Sequence, residues 1–260
     1  MDSVNKTLYI PLYGKAYVSQ KGIFLCDKKA EEIWAAEGFK LGGKSKSKWL
    51  AYYMGIRAAV FDSWVKEQLK THDNAIVIHI GCGMDSRCIR VETKAHQWYD
   101  VDFPEVIAER KRYFAETESY HMIGSDIREE DWLTGIPADR TAVIVMEGIS
   151  MYLKPEELKA ALKRWKNHFG NVRILMDTYT TFAARATKYK NPINEVGVTE
   201  VFGFDDPREV AGETGIVFVR EHSLTPDWLI QLLPKREQGF FRCLFAGKVA
   251  KNIYRLYEYM

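Results

Sequence analysis

A chain of 260 residues is long enough for one α/β domain with additions, and its 37 lysines and arginines against 35 aspartates and glutamates leave a formal charge of only +2. That balance gives no reason to expect nucleic acid or an anionic membrane as partner, and no apolar run approaches the ~20 residues of a membrane span. The four cysteines, Cys26, Cys82, Cys88 and Cys243, form no Cys-x-x-Cys pair and no metal-ligand spacing. With no leader-like start, the expectation is a reducing, cytoplasmic setting and no metal.

Residues 1–74 read as an amphipathic, helical N-terminal cap. Asp27 is placed to cap a helix over Lys28 to Ala36, with Gly38 as its stop. After the polar connector 42–48, a longer helix is predicted from Trp49 to Leu69. Tyr53, Ile56, Val60 and Trp64 give it an apolar stripe. Arg57 lies on or beside that stripe, where a snorkelling arginine is the plain explanation.

The chain is organised around Ala75-Ile-Val-Ile-His-Ile-Gly-Cys-Gly-Met-Asp85. Its apolar run predicts a strand buried on both faces, stopping at Gly81-Cys82-Gly83, where the backbone can turn sharply and let a ligand approach. Open α/β sheets place ligands beyond the carboxyl ends of such strands, although a lone Gly-x-Gly also suits a plain tight turn.

A short helix is expected over 86–90 and a second strand over 96–101. The latter delivers Asp100 and Asp102 just before Pro104, which suits the start of a helix. Asp102 lies 19 residues beyond Gly83, about where such folds place an acid for ribose hydroxyls; helix capping is the alternative. A third strand over 120–123 leads to Asp126 and Ile127, suited either to an adenine amine and ring or to a surface turn. The fourth strand, 141–146, ends in Glu147-Gly148, and a carboxylate at a buried strand end is costly unless paired. Beyond it are Ser150, Met151 and Tyr152, then a helix over 155–169. A fifth strand over 172–177 precedes a long segment, 178–205, read as a lid-like insertion. A helix from Asp206-Pro207, a sixth strand over 216–221, a helix over 228–233 capped by Asp227, a helix over 240–250 and a last strand over 253–259 complete the pattern. Alternating strands and helices make a mostly parallel sheet with helices on both faces. His79 and His121, internal to strands, read as structural.

A glycine turn, successive strand-end acids and a Glu-Gly suit a nucleoside-bearing cofactor. They do not suit a triphosphate, as no Gly-x-x-x-x-Gly-Lys-Ser/Thr loop is present. NAD fits poorly, since the turn lacks the third glycine and Asp85 would repel a pyrophosphate. S-adenosylmethionine has ribose and adenine, no phosphate, and a sulfonium cation that an electronegative pocket favours.

Ile80-Gly-Cys-Gly-Met-Asp-Ser-Arg87, Tyr99-Asp-Val-Asp-Phe-Pro104, Ser125-Asp-Ile-Arg-Glu-Glu-Asp-Trp132 and Met146-Glu-Gly-Ile-Ser-Met-Tyr-Leu153 together resemble the leucine carboxyl methyltransferase family, including its tetracenomycin-type polyketide O-methyltransferases. The resemblance extends from about Gly14 onward. It implies a seven-stranded, mostly parallel Rossmann-like methyltransferase sheet with an antiparallel last strand, carried by residues 75–260. It implies S-adenosylmethionine as cofactor, gripped through its carboxylate by Arg57, with Gly81, Gly83 and Asp85 in the turn beside it. Asp100 and Asp102 share the ribose, Asp126 and Ile127 take the adenine, and Glu147 lies near the methyl donor. Lys15 matches a lysine near the cofactor carboxylate once a gap is allowed. The implied reaction is in-line transfer of a methyl group to a carboxylate or hydroxyl oxygen of a small, polyketide-like acceptor. A carboxylate needs no base; a hydroxyl would call on Glu147 or Tyr152. Tyr17, Arg87, Tyr152 and Tyr179 are expected to shape the acceptor pocket. A protein C-terminal carboxylate as acceptor, a non-catalytic cofactor-binding module and a nicotinamide oxidoreductase stay open as alternatives.

Overall fold

In the computed structural model of the chain, residues 3–38, 43–91, 96–186 and 200–260 are described. Seven strands form one sheet: β1 (Ile76–Ile80), β2 (Gln97–Asp102), β3 (Tyr120–Gly124), β4 (Ala142–Met146), β5 (Val172–Tyr179), β6 (Phe218–His222) and β7 (Tyr254–Tyr259). Their order is β3-β2-β1-β4-β5-β7-β6. The first five pair in parallel, and β7 enters antiparallel between β5 and β6. The expected mostly parallel sheet with an antiparallel last strand is thus present.

The uninterrupted apolar runs have a simple cause. Ile76, Ile78, Ile144, Met146, Ile174 and Met176 face one helical layer, which includes α6 (Pro155–Phe169). The alternate residues Val77, Val143, Val145 and Leu175 face α3 (Lys48–Thr71) on the other side. Both faces are covered, so both must be apolar. The chain moves outward from β1 to β3 and returns to β4 on the other side of β1. The carboxyl ends of β1 and β4 therefore flank the point where strand order reverses, where such sheets open a crevice.

Of the N-terminal segment, α3 is itself a layer of the sandwich. Helix α1 (Ser3–Gln20), with Pro11 inside it, packs on α3 and on α2 (Lys28–Glu37). Asp27 caps α2 by accepting from Ala30 N at 2.9 Å, and Gly38 ends it in the left-handed region, at the residues the sequence marks. The short helices α4 (Arg87–Arg90) and α5 (Pro104–Arg110) follow β1 and β2.

Three expectations need correction. Asp227 does not cap its helix: Pro226 holds that position, and Asp227 instead accepts from Arg242 Nε at 2.9 Å. The single helix expected over 240–250 is broken into Lys235–Phe241, a π-turn over Arg242–Ala246, and Lys248–Lys251 after an extended Gly247, since glycine is a poor helix former. The segment 178–205 begins inside β5, which is lengthened to Tyr179 by pairing with Tyr254 of β7. A helical turn over Thr181–Ala186 (α7) follows; residues 187–199, where most of the expected lid falls, lie outside the described residues. No described helix is long and apolar enough to cross a membrane.

Candidate active site

Beyond Ile80 the chain turns through Gly81 and Gly83, with φ of +64° and +50°. A Cβ on Gly81 would stand 2.1 Å from Ile149 Cδ1, and one on Gly83 2.9 Å from Leu8 Cδ2. Backbone conformation and space both demand glycine there. The turn is tied to β2: Gly81 N donates to Val101 O at 2.7 Å, and Gly83 N to Asp102 Oδ2, also at 2.7 Å. Asp102 Oδ1 accepts from Phe103 N at 2.8 Å, and the half-buried carboxyl is pushed up by burial to about 6. Each oxygen keeps a lone pair for a hydroxyl donor.

Around this turn lies a cavity of about 200 Å³. Leu8, Pro11 and Lys15 of α1 form one wall; Glu147, Gly148, Ile149 and Tyr152 form another, with Arg57, Tyr179 and Tyr254 between them. Arg57 is buried on α3 and held from several sides. Its Nε donates to Glu147 Oε1 at 3.0 Å, while Nη1 reaches the Tyr254 hydroxyl at 3.3 Å and Asp177 Oδ2 at 3.4 Å. Nη2 has no hydrogen-bond partner among the described residues and lies against Gly148, whose missing Cβ leaves it room. Glu147 Oε2 accepts from Arg87 Nη2. Burial opposes the charge of Glu147, but Arg57 and Arg87 outweigh it and bring the carboxyl down to about 2. Asp177, two residues before the end of β5, has fewer helpers. Oδ1 accepts from Gly148 N at 2.7 Å, Oδ2 makes no hydrogen bond, and burial pushes the acid up to about 6, only partly offset by Arg57.

Asp85 faces the cavity but is fully engaged. Lys15 Nζ lies 3.0 Å from its Oδ2, Arg87 Nη2 3.4 Å from the same oxygen, and Arg90 Nη1 2.8 Å from Oδ1. Burial disfavours its charge, yet Arg90, Lys15 and Arg87 hold it well below the usual range. Arg87 and Arg90 also share Asp62, and Arg90 reaches Asp27, the cap of α2. One buried ion network therefore joins the glycine turn, α1, α2 and α3. His79 Nε2 lies 3.0 Å from Arg87 Nη1, and burial lowers its imidazole pKa.

The remaining site residues are placed unequally. Tyr152 and Tyr179 line the cavity; Tyr17 packs instead between Tyr13 and Tyr52, and Arg87 sits in the network behind the wall. Asp100 does not reach the cavity. It is fully buried between Arg110 Nη2 (2.5 Å), the Tyr120 hydroxyl (2.6 Å) and Trp98 Nε1 (2.8 Å). Asp126 sits at the end of β3, bonded to Arg128 Nε at 2.9 Å, next to buried Ile127. Ser125 N donates to Asp102 O at 2.9 Å, so the two strand ends are adjacent. Asp177 and Tyr254 are the residues that sequence reasoning passed over. Asp177 follows an apolar run in the sequence just as Glu147 does, a signal in plain view. Tyr254 has no local signal, because its place depends on β7 entering the sheet.

An amino-acid carboxylate fits at Arg57 Nη2, and ribose hydroxyls fit the spare lone pairs of Asp102. The cavity is smaller than the ~300–1,000 Å³ usual for small-molecule sites, so a nucleoside would extend beyond it along the ends of β2 and β3.

Residues 7–166 match the sequence model of the family described as leucine carboxyl methyltransferase. Tetracenomycin polyketide synthesis O-methyltransferase TcmP of Streptomyces glaucescens is 33% identical over 171 residues, 65% of this chain and 63% of that protein. The S-adenosyl-L-methionine-dependent methyltransferase dpfgK of Gibberella zeae is 28% identical over 182 residues, 64% and 61% of the two chains. The chain thus spans less than two thirds of either relative. Among solved structures, magnesium protoporphyrin IX methyltransferase of Synechocystis PCC 6803, with bound SAH, superposes with a TM-score of 0.53 at 12% identity, covering 94% of this chain and 96% of that one. That likeness is one of fold.

Proposed function

The chain belongs to the leucine carboxyl methyltransferase family, and on that premise we propose that it transfers the methyl group of S-adenosylmethionine to a carboxylate oxygen of a small organic acid. One observation carries the choice of a carboxylate over a hydroxyl. Among the described residues, no group facing the cavity is free to take a proton. Glu147 is clamped by two arginines, and Asp85 by a lysine and two arginines. His79 is engaged by Arg87, and burial raises the phenols of Tyr152, Tyr179 and Tyr254, keeping them protonated at neutral pH. A hydroxyl acceptor needs such a base; a carboxylate arrives ionised.

Bound S-adenosylmethionine supplies an electrophilic methyl group on a sulfonium. The protein's share is alignment and exclusion of water. Arg57 Nη2, with Lys15 nearby, holds the donor's carboxylate, and Gly81 and Gly83 let its chain lie against the backbone. Asp102 takes the ribose, and Asp126 and Ile127 the adenine. Glu147 fixes Arg57 and sets negative charge beside the sulfonium, while the Tyr152 hydroxyl donates to the acceptor's second oxygen. The apolar wall of Leu8, Ile10, Met54 and Met151 suits an acceptor with an aromatic or polyketide-like body. On this reading α1 covers the site, while α3 together with the sheet of residues 75–260 carries it. The free state of all four cysteines is in keeping with a cytoplasmic setting.

Calorimetry with S-adenosylhomocysteine, followed by turnover of matched 1-naphthoic acid and 1-naphthol, tests the proposal. Micromolar binding and methylation of the acid are expected. Absence of binding, or methylation of the naphthol in preference, defeats it.

A further inference from the structure

Before any ligand arrives, the Arg57 guanidinium already serves two buried carboxylates, Glu147 at 3.0 Å and Asp177 at 3.4 Å. They are not equally provided for. Glu147 has Arg87 as a second cation. Asp177 has no other cation among the described residues; its Oδ1 accepts from the Gly148 amide, and its Oδ2 has only the neutral Tyr254 hydroxyl beside it, with no well-formed hydrogen bond. If a cofactor's carboxylate docks on Arg57, as the proposed function has it, one guanidinium faces three carboxylates. In a buried site such crowding of like charge forces one acid to neutralise. Glu147 keeps its charge through Arg87, so Asp177 is the one that yields.

We infer that docking of a carboxylate on Arg57 drives a proton from solvent onto Asp177 Oδ2, so that the cofactor binds with net proton uptake. Asp177 is then a positioning residue with two states. Ionised, it helps hold Arg57 in the free protein; protonated, it keeps its grip on the Gly148 amide but releases the guanidinium to the ligand. The only covalent change is a new O–H bond, its proton supplied by buffer. The groups around Asp177 are Arg57 and Tyr53 from α3, Glu147 beyond β4, Tyr152 in the following turn, Tyr254 from β7 and Tyr179 on its own strand. The tyrosines are neutral, so Arg57 and Glu147 are the charged neighbours. Asp177 does not line the cavity whereas Gly148, Tyr179 and Tyr254 do, so a ligand's ammonium would have to reach past that wall to compensate its charge. Burial already holds the Asp177 carboxyl near 6, so at neutral pH a modest push suffices. Asp102, the other acid near 6, faces the ribose; hydroxyl donors favour its charged form and cannot cause uptake.

The test is calorimetry of S-adenosylhomocysteine at pH 7 in phosphate and in Tris, whose different ionisation enthalpies report the protons exchanged. Wild type is expected to take up most of one proton and Asp177→Asn none. The asparagine keeps a carbonyl for the Gly148 amide. Independently of any variant, wild-type affinity is expected to rise about tenfold between pH 8 and pH 6. Binding without uptake, a flat affinity over that range, or uptake that survives in Asp177→Asn overturns the inference and leaves the cofactor assignment standing. No binding at all removes the cofactor assignment, and the inference with it.

Discussion

Asp102 holds Gly83 by its backbone amide, Oδ2 to N at 2.7 Å, so the acid at the end of β2 fixes the glycine turn at the end of β1. Its neighbour two residues earlier does something else: Asp100 is sealed in with Arg110, Tyr120 and Trp98. The two acids should therefore fail differently. Asp100→Asn is expected to cost about 3–5 kcal/mol of stability, because it strands a buried guanidinium. Any of that variant that folds should bind S-adenosylhomocysteine normally. Asp102→Ala should melt closer to wild type yet bind the ligand at least about tenfold more weakly. Thermal melts and calorimetry on both variants check this; equal loss of affinity in the two would return Asp100 to the ribose site.

Arg57→Ala is expected to weaken S-adenosylhomocysteine binding by about 10–100-fold, the worth of a charge-assisted contact. It also strands Glu147 and Asp177. Arg57→Lys, which keeps the charge but loses the fork, separates the two effects: it should restore much of the stability and little of the affinity.

Glu147→Gln tests whether the acid moves a proton. If it serves only to hold Arg57 and Arg87, the variant loses stability and cofactor affinity, but its residual turnover of 1-naphthoic acid has the wild-type pH profile. Loss of an ionisation present in the wild-type profile would make Glu147 a base.

Much of this was legible in the chain. The alternation of apolar runs with helical stretches specifies the sheet, and the caps Asp27 and Gly38 mark α2. The strand-end acids point to one edge of the sheet. What the sequence does not display is the allocation of partners. Asp85, Asp100 and Asp102 are close together in the chain and alike in charge, yet a buried ion network, Arg110 and a backbone amide respectively claim them. On local pattern alone Arg57 is an arginine beside an apolar stripe; the family resemblance points it at a cofactor carboxylate, but its partners Glu147, Tyr254 and Asp177 arrive only with β4, β7 and β5. Long-range pairing decides such roles, and local pattern cannot express it.

Gly81→Ala should be poorly tolerated. The added methyl meets Ile149 Cδ1 at 2.1 Å, on a backbone with φ of +64°, so destabilisation of about 2 kcal/mol or more and loss of ligand binding are expected. Gly135→Ala, with nothing within 4 Å of the new atom and no positive φ, is the control and should be near neutral in both measurements.

Stability should depend on pH through the same acids. Asp177 is raised to about 6 in the folded state from 3.8. It is therefore destabilising when ionised, and this burden is lifted as pH falls from about 6 towards 4. Asp177→Asn is expected to stabilise the protein by up to about 3 kcal/mol at pH 7, with the gain vanishing near pH 4. Glu147 has the opposite sign. Lowered from 4.5 to about 2, it stabilises the fold above pH 4.5 and loses that effect as pH falls through about 2. Urea titrations of wild type and Asp177→Asn from pH 4 to 8 check the first claim; a gain that is constant across the range would contradict it.

Leu8 and Tyr254 line one cavity, which gives the protein a particular order of assembly. Strand β7 lies between β5 and β6, so until residues 254–259 are synthesised the sheet is open where they belong and the cavity lacks a wall. During translation the glycine turn, Arg57 and Glu147 all emerge well before Tyr254, but on this geometry they cannot yet make a closed site. Ligand should not rescue a nascent chain that stalls before β7, and a fragment ending at residue 247 should remain vulnerable to proteases with or without S-adenosylhomocysteine. Joining parts so distant in sequence also makes for slow, late-closing contacts. Competence for binding then waits on β7.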